Sequence, residues 1–180
     1  MQRRKCPICN TRIIIDARGP TGGILLAGEF PGYLEKIQGM PWVGPASKVL
    51  RSEMARIGMS MDQCRLTNLW LHDKTEEEGE MNWHLKQLIE EMKQARAVLL
   101  MGSELAPLLF DHPVSEITGL TNLPSSLIPK NVKVVGVSIN PASVIAGNDG
   151  GVVGELRLAL RNFNRALASN ESGRESLYGW

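Results

Sequence analysis

Apolar residues in this chain form short unbroken runs, separated by stretches in which they recur every three or four positions. That alternation predicts buried strands followed by amphipathic helices. The first run, residues 24–27, ends in Gly28-Glu29-Phe30-Pro31-Gly32, which reads as a sharp turn leaving a buried strand. Pro45 and Ser47 then open a helix with Val49, Leu50, Met54 and Ile57 on one face, closed by Gly58. A second run over 65–71 carries Thr67 and Asn68. A helix over 83–95 follows the acidic stretch 76–80, whose charges read as a solvated helix start. The third run, 97–101, ends in Gly102-Ser103, with Ser103 as the N-cap of a helix over 104–110. The fourth, 132–137, leads to a turn at 140–143. A glycine-rich gap over 147–154 precedes a last helix through Leu156, Leu160 and Phe163. Residues 12–16 read as a further short strand, and the Ser, Asn and Gly content of 170–180 predicts fraying.

Strands alternating with helices define the α/β class with a mainly parallel central sheet. Ligands of such sheets bind beyond the C-terminal strand ends, so residues 28–32, 68–72, 102–103 and 140–143 are expected to converge. With 180 residues and 43% hydrophobic content, the chain fits one domain over 1–180, its first 20 residues forming an N-terminal metal-binding segment. A formal net charge of +1 does not by itself announce a nucleic-acid binder. The longest apolar runs fall far short of the roughly 18 residues a membrane span needs, so a cytoplasmic protein without a membrane partner is expected. Three cysteines exclude a secreted disulfide framework, and Cys6-Pro7-Ile8-Cys9 has the spacing of a metal or redox pair.

Four segments in order carry a resemblance: GEFPGYLEKIQGMPWVGPASKVL (28–50), LTNLW (66–70), VLLMGSELAPLLF (98–110) and VVGVSINPAS (134–143). Together they resemble the uracil-DNA glycosylase superfamily, in its iron–sulfur (family 4-like) group, from Ile24 to about Leu167. The resemblance implies that family's three-layer sandwich around the parallel sheet. It also assigns roles. Trp42 falls where the family stacks an aromatic ring on an extruded base, with Phe30 beside it. Asn68 falls where a side-chain amide reads the pyrimidine edge, and one donor with one acceptor suits uracil. Glu29 and Glu35 take the two acidic positions near water and sugar, where a carboxylate orients water and opposes developing positive charge. Plainer readings exist: Trp42 as a core aromatic, Asn68 as a strand-end turn residue, and Glu29 as the cap of a backbone amide.

Two positions depart from the pattern. Asn140 stands where the family has a histidine, and an amide donates a hydrogen bond but cannot become a cation. Phe30 stands where some branches carry a water-activating residue, and a phenyl group narrows the pocket instead. The His112-Pro113 pair precedes the last strand and does not replace the motif histidine. The resemblance therefore implies a DNA glycosylase that flips and excises a deaminated pyrimidine, uracil first. The alternative is a non-catalytic or differently specific base-binding member.

The iron–sulfur group holds its cluster with four cysteines. Here Cys6 and Cys9 match the first two positions, and His72 and His84 stand at the other two. Cys64 does not match. Two thiolates and two imidazoles form a set for structural zinc, so zinc is expected, with an iron–sulfur cluster as the alternative. The plainer reading leaves the cysteine pair in a frayed tail. The expected partner is DNA, single- or double-stranded, bound by a monomer. Lys36, Lys48, Arg51 and Arg3-Arg4-Lys5 are the candidate phosphate contacts, and Ser143, Val144 and Ile145 lie in the loop where relatives insert a wedge.

Overall fold

The computed structural model describes residues 4–10, 12, 14–147 and 150–178. Four strands form its sheet: β1 (Ile24–Gly28), β2 (Arg65–Asn68), β3 (Ala97–Met101) and β4 (Val134–Ser138). They run parallel in the order β2-β1-β3-β4. Helices α1 (Tyr33–Gln38) and α2 (Pro45–Ala55) lie between β1 and β2. Helix α3 (Glu80–Lys93) lies between β2 and β3, and α4 (Leu105–Phe110) with α5 (Val114–Ile117) between β3 and β4. Helices α6 (Ala142–Ala146) and α7 (Gly150–Tyr178) close the chain.

Strand periodicity explains the layers, because alternate side chains leave opposite faces. Leu25, Ala27, Val98, Leu100, Val135 and Val137 pack with Leu88 and Met92 of α3 and with Leu105 and Leu109 of α4. Leu26, Ala97, Leu99, Met101 and Val134 pack on the other face with Leu50 and Met54 of α2 and with Leu156, Leu160 and Phe163 of α7. With both faces covered, the strands lack a polar side and read as the unbroken runs seen in the sequence. The result is a three-layer α/β sandwich. No helix is long and apolar enough to cross a membrane among the described residues.

Two expectations change. The segment around Ile14 and Ile15 forms no strand among its described residues. It is tied down by the Ile15 N–H donating to Leu71 O at 2.7 Å. Ser103 does not cap α4, for which the N-cap is Glu104, without a side-chain cap bond. Helix α7 runs to Tyr178, with the Ser169 and Ser172 hydroxyls donating to carbonyls one turn back and Arg96 donating to Glu171 at 2.8 Å.

Between α2 and α7, the buried Glu53 carboxylate accepts bonds from Arg157 at 2.7 and 3.1 Å. That bond, with the fields of Arg157, Arg56 and Arg161, holds its carboxyl below the ordinary range, although burial pushes it up. A depressed carboxyl stabilises the fold above the unfolded value of about 4.3 and loses that contribution as pH falls through the folded one. Glu53→Gln is therefore expected to lower the melting temperature at pH 7 and to narrow that deficit at pH 3. Equal deficits at the two pH values would disprove an ionic contribution.

Candidate functional site

From β1 the chain steps out to β2 and then returns to β3 on the other side of β1, so the strand order reverses between β1 and β3. The crevice above such a reversal is where open parallel sheets bind ligands. A cavity of about 510 Å³ opens there, lined by Glu29, Phe30, Glu35, Trp42, Asn68 and Asn140 among others.

The end of β1 allows two of these groups to converge. A Cβ at Gly28 would lie 2.6 Å from Asn68 Oδ1 and 2.7 Å from the Trp42 ring, so only a hydrogen there leaves room for both. Trp42 is 9% exposed and has a left-handed backbone, φ 57°. Its indole N–H donates to Thr67 O at 2.9 Å, which anchors the ring at the cavity wall. Glu35, also buried, accepts the Val43 and Gly44 N–H groups at 3.0 and 2.7 Å. Its carboxylate therefore pins the loop that carries Trp42.

Glu29 is held by three donors. Oε1 accepts the Ser103 hydroxyl at 3.1 Å and the Glu104 N–H at 2.7 Å, while Oε2 accepts Nδ2 of Asn140 at 2.8 Å. The expected cap, Ser103, is thus spent on Glu29. Asn140 is oriented in turn, because its Oδ1 accepts the Ala142 N–H at 2.9 Å and leaves the amide nitrogen facing the carboxylate. Gly102 makes this possible. It has φ 134°, and a Cβ there would overlap the Glu29 carboxylate. Gly102 and Ser103 converge on the site as the strand-end pattern predicts, with Ser103 bonded to Glu29 rather than capping a helix, whereas the Glu104 N–H carries no signal in the sequence.

The remaining expected residues divide. Phe30 lines the cavity but is 51% exposed, so it narrows the mouth rather than the interior. In α6, Val144 packs partly buried against the core, whereas Ser143 and Ile145 are exposed and Ile145 borders the cavity. Lys36 donates to Asp73 at 3.0 Å, Arg51 to Asp62 at 2.7 Å, and Arg4 pairs with Asp16, so three candidate phosphate contacts stand in exposed ion pairs. Lys5 and Lys48 are exposed, and Arg3 lies outside the described residues. His112 pairs with Glu116 on the surface, away from the cavity.

A second group lies apart from the cavity. Donor atoms of Cys6, Cys9, His72 and Glu80 all fall within 4.8 Å of one another and could hold a metal ion. His72 Nδ1 lies 2.6 Å from Asp73 O, and because a carbonyl only accepts, Nδ1 is the donor there and Nε2 is the ring nitrogen turned toward the group. That Nε2 stands 3.9 Å from Cys9 Sγ and 3.3 Å from Glu80 Oε1. Thr75 donates its N–H and hydroxyl to Glu80 Oε2, while Oε1 is buried without a hydrogen-bond partner. Burial pushes the Glu80 carboxyl up, but the Thr75 bonds and the fields of His72 and His84 outweigh it and hold it below the ordinary range. Burial raises the Cys6 thiol, partly opposed by backbone bonds within the Cys6–Cys9 turn.

The fourth member of this gathered group is Glu80, at the place where the sequence pointed to His84. His84 sits one turn further along α3 and packs within 4.7–4.9 Å of the rings of Trp70, His72 and Trp83. Its Nδ1 accepts the Leu71 N–H at 3.3 Å, and its Nε2 is buried without a partner. Burial, and then the field of His72, push its pKa down to about 4. Glu80 was hidden in the acidic stretch: residues 76–78 are exposed as expected, but Glu80 is 1% exposed.

Two comparisons bear on this site. A family model described as the uracil DNA glycosylase superfamily matches residues 17–167. A type-4 uracil-DNA glycosylase of Archaeoglobus fulgidus is 27% identical over 160 residues, covering 81% of this chain and 79% of that protein.

Proposed function

The chain belongs to the uracil DNA glycosylase superfamily, and from that premise we propose that it excises a deaminated pyrimidine, uracil first, from DNA. In this reading an extruded base enters the cavity, stacks on Trp42 and is read along its edge by Asn68. Water adds its oxygen to the sugar C1′ and gives up a proton, which ends on the released base. The C1′–N1 bond breaks with its electron pair on the base, leaving an abasic site. Asn140 donates toward the departing base, and Glu29 opposes the positive charge that develops on the sugar. The observation that carries this reading is the convergence of Trp42, Asn68, Glu29 and Asn140 on one cavity at the sheet's reversal point.

The test is single-turnover cleavage of uracil oligonucleotides, single- and double-stranded, scored as alkali-labile sites. Asn68→Ala is expected to remove most cleavage, and Trp42→Ala to weaken binding by about 1–3 kcal/mol through lost stacking. Unchanged cleavage in both variants would take these residues out of the site.

One observation favours a second reading, a base-binding member that does not hydrolyse. Glu29 already accepts three hydrogen bonds, and a carboxylate so engaged is a weaker partner for water. Uracil-dependent binding without alkali-labile product would establish that reading.

For the metal group we propose a single structural zinc ion. A tetrahedral ion with bonds of about 2.0–2.3 Å sets its ligands roughly 3.3–3.8 Å apart, within reach of donors already gathered to 4.8 Å. Two thiolates, an imidazole and a carboxylate are ordinary zinc donors. Iron–sulfur clusters take four thiolates, or two thiolates with two imidazoles. Glu80 Oε1 and His84 Nε2 are both buried without a hydrogen-bond partner, and of the two it is Oε1 that lies within the gathered group, where an ion would satisfy it. Bound there, zinc would supply a cross-link between the N-terminal segment and the β2–α3 connection.

A further inference from the structure

The mouth of the cavity carries side chains that recognition of a base inside it does not use. Of the eight exposed large hydrophobic residues among those described, four line this one cavity: Phe30, Tyr33, Leu34 and Ile145. Tyr33, at the start of α1, is 75% exposed. Scattered apolar residues need no explanation, but a set gathered on one rim marks a contact surface. Its electrostatics narrow the occupant. No lysine or arginine lines the cavity among the described residues, whereas Glu29 and Glu35 do. On the flanking helices, Lys36 is tied to Asp73 and Arg51 to Asp62, which leaves the exposed Lys48 of α2 as the lysine there without an ion pair among the described residues.

Duplex DNA keeps its bases stacked inside and presents two phosphate chains, which a rim poor in free cations grips badly. A single strand offers unpaired bases whose faces bind aromatic rings regardless of sequence. Helix α1 also presents Tyr33 on a fixed support, since Glu35 of the same helix is buried and bonded to the loop at residues 43–44. A tyrosine held this way loses little side-chain freedom on contact.

We propose that Tyr33, with Phe30 beside it, stacks on the base flanking the one in the cavity, so that this protein takes its target from single-stranded DNA. The proposal rests on the reading of the cavity as a base pocket.

The experiment uses the full chain, its Tyr33→Ala and Tyr33→Phe variants, and uracil oligonucleotides with 2-aminopurine on either side of the uracil, single-stranded and as duplexes. The readouts are 2-aminopurine quenching, affinity, and single-turnover cleavage. Quenching by the wild type, about tenfold weaker single-strand affinity in Tyr33→Ala, recovery in Tyr33→Phe and a smaller effect on duplex are expected. Thermal melting of Tyr33→Ala should match the wild type, because the side chain is exposed. Quenching lost in Tyr33→Ala without any wild-type cleavage would support the stacking proposal and refute hydrolysis. Cleavage by the wild type with unchanged single-strand affinity in Tyr33→Ala would refute the stacking proposal alone. An equal loss on duplex, or light scattering showing a dimer that Tyr33→Ala dissociates, would also overturn it.

Discussion

Removing the metal with a chelator, or replacing Cys9 by serine, is expected to lower the melting temperature by roughly 10 °C and to open the N-terminal segment to protease. The magnitude follows from linkage. An ion present at a thousandfold over its dissociation constant stabilises by about 4 kcal/mol, and each kcal/mol moves the melting point of a chain this long by about 2–4 °C. The effect should be local rather than complete unfolding, because the two large cores lie on the sheet and contain none of the four donors. The N-terminal segment by contrast has a small cluster, with Cys6, Ile14 and Leu71 buried and Cys9 and Trp83 packed on them. Elemental analysis should find about one zinc per chain and no iron. Glu80→Ala should lower zinc content, and His84→Ala should keep it. Zinc lost with His84 and retained without Glu80 would restore the set drawn from the sequence. Stoichiometric iron would refute a zinc site altogether.

Gly102→Ala is expected to reduce single-turnover cleavage on the order of 10²-fold, the size of effect a misplacement of about 1 Å produces. Two physical causes act together. At φ 134° a side chain strains the backbone, and the added Cβ would overlap the Glu29 carboxylate. Glu29 would have to withdraw from the Glu104 N–H, and Asn140 would lose the acceptor that its amide faces. The variant should retain oligonucleotide affinity, because Trp42 and Asn68 are held from β1 and β2 through Gly28 and Thr67. Affinity and cleavage falling by the same factor would indicate a general loss of the fold instead. Undiminished cleavage would show that Glu29 has no part in the reaction.

The strands were legible because both sheet faces are covered, and a buried parallel strand writes itself as a continuous apolar run. The long helices were legible from their period. Helices α1, α5 and α6, of four to six residues, are not foreseen, since so few residues establish no period, and the equally short α4 is legible only from the strand end and Gly-Ser turn before it. Two contacts are hidden in the sequence for a related reason. Ser103 follows a strand and precedes a helix, which locally is a capping position, yet its hydroxyl faces Glu29 from a separate strand. Glu80 belongs to an acidic stretch, which locally is a solvated surface, yet the path of the N-terminal segment brings two cysteines against it.

What the sequence determined by itself is the α/β architecture, the order of the motifs on the strand ends, and with them the family. These depend on patterns within a dozen neighbouring residues, because strand and helix periods decide which side chains face the core. What only the tertiary structure decided is which atoms meet: Asn140 with Glu29 across 111 residues, Cys9 with His72 across 63, and Glu80 rather than His84 beside them. Such meetings are set by the sheet order and by the loops above it. A hydrogen bond or metal bond tolerates displacements of only a few tenths of an ångström, a precision that local periodicity does not carry.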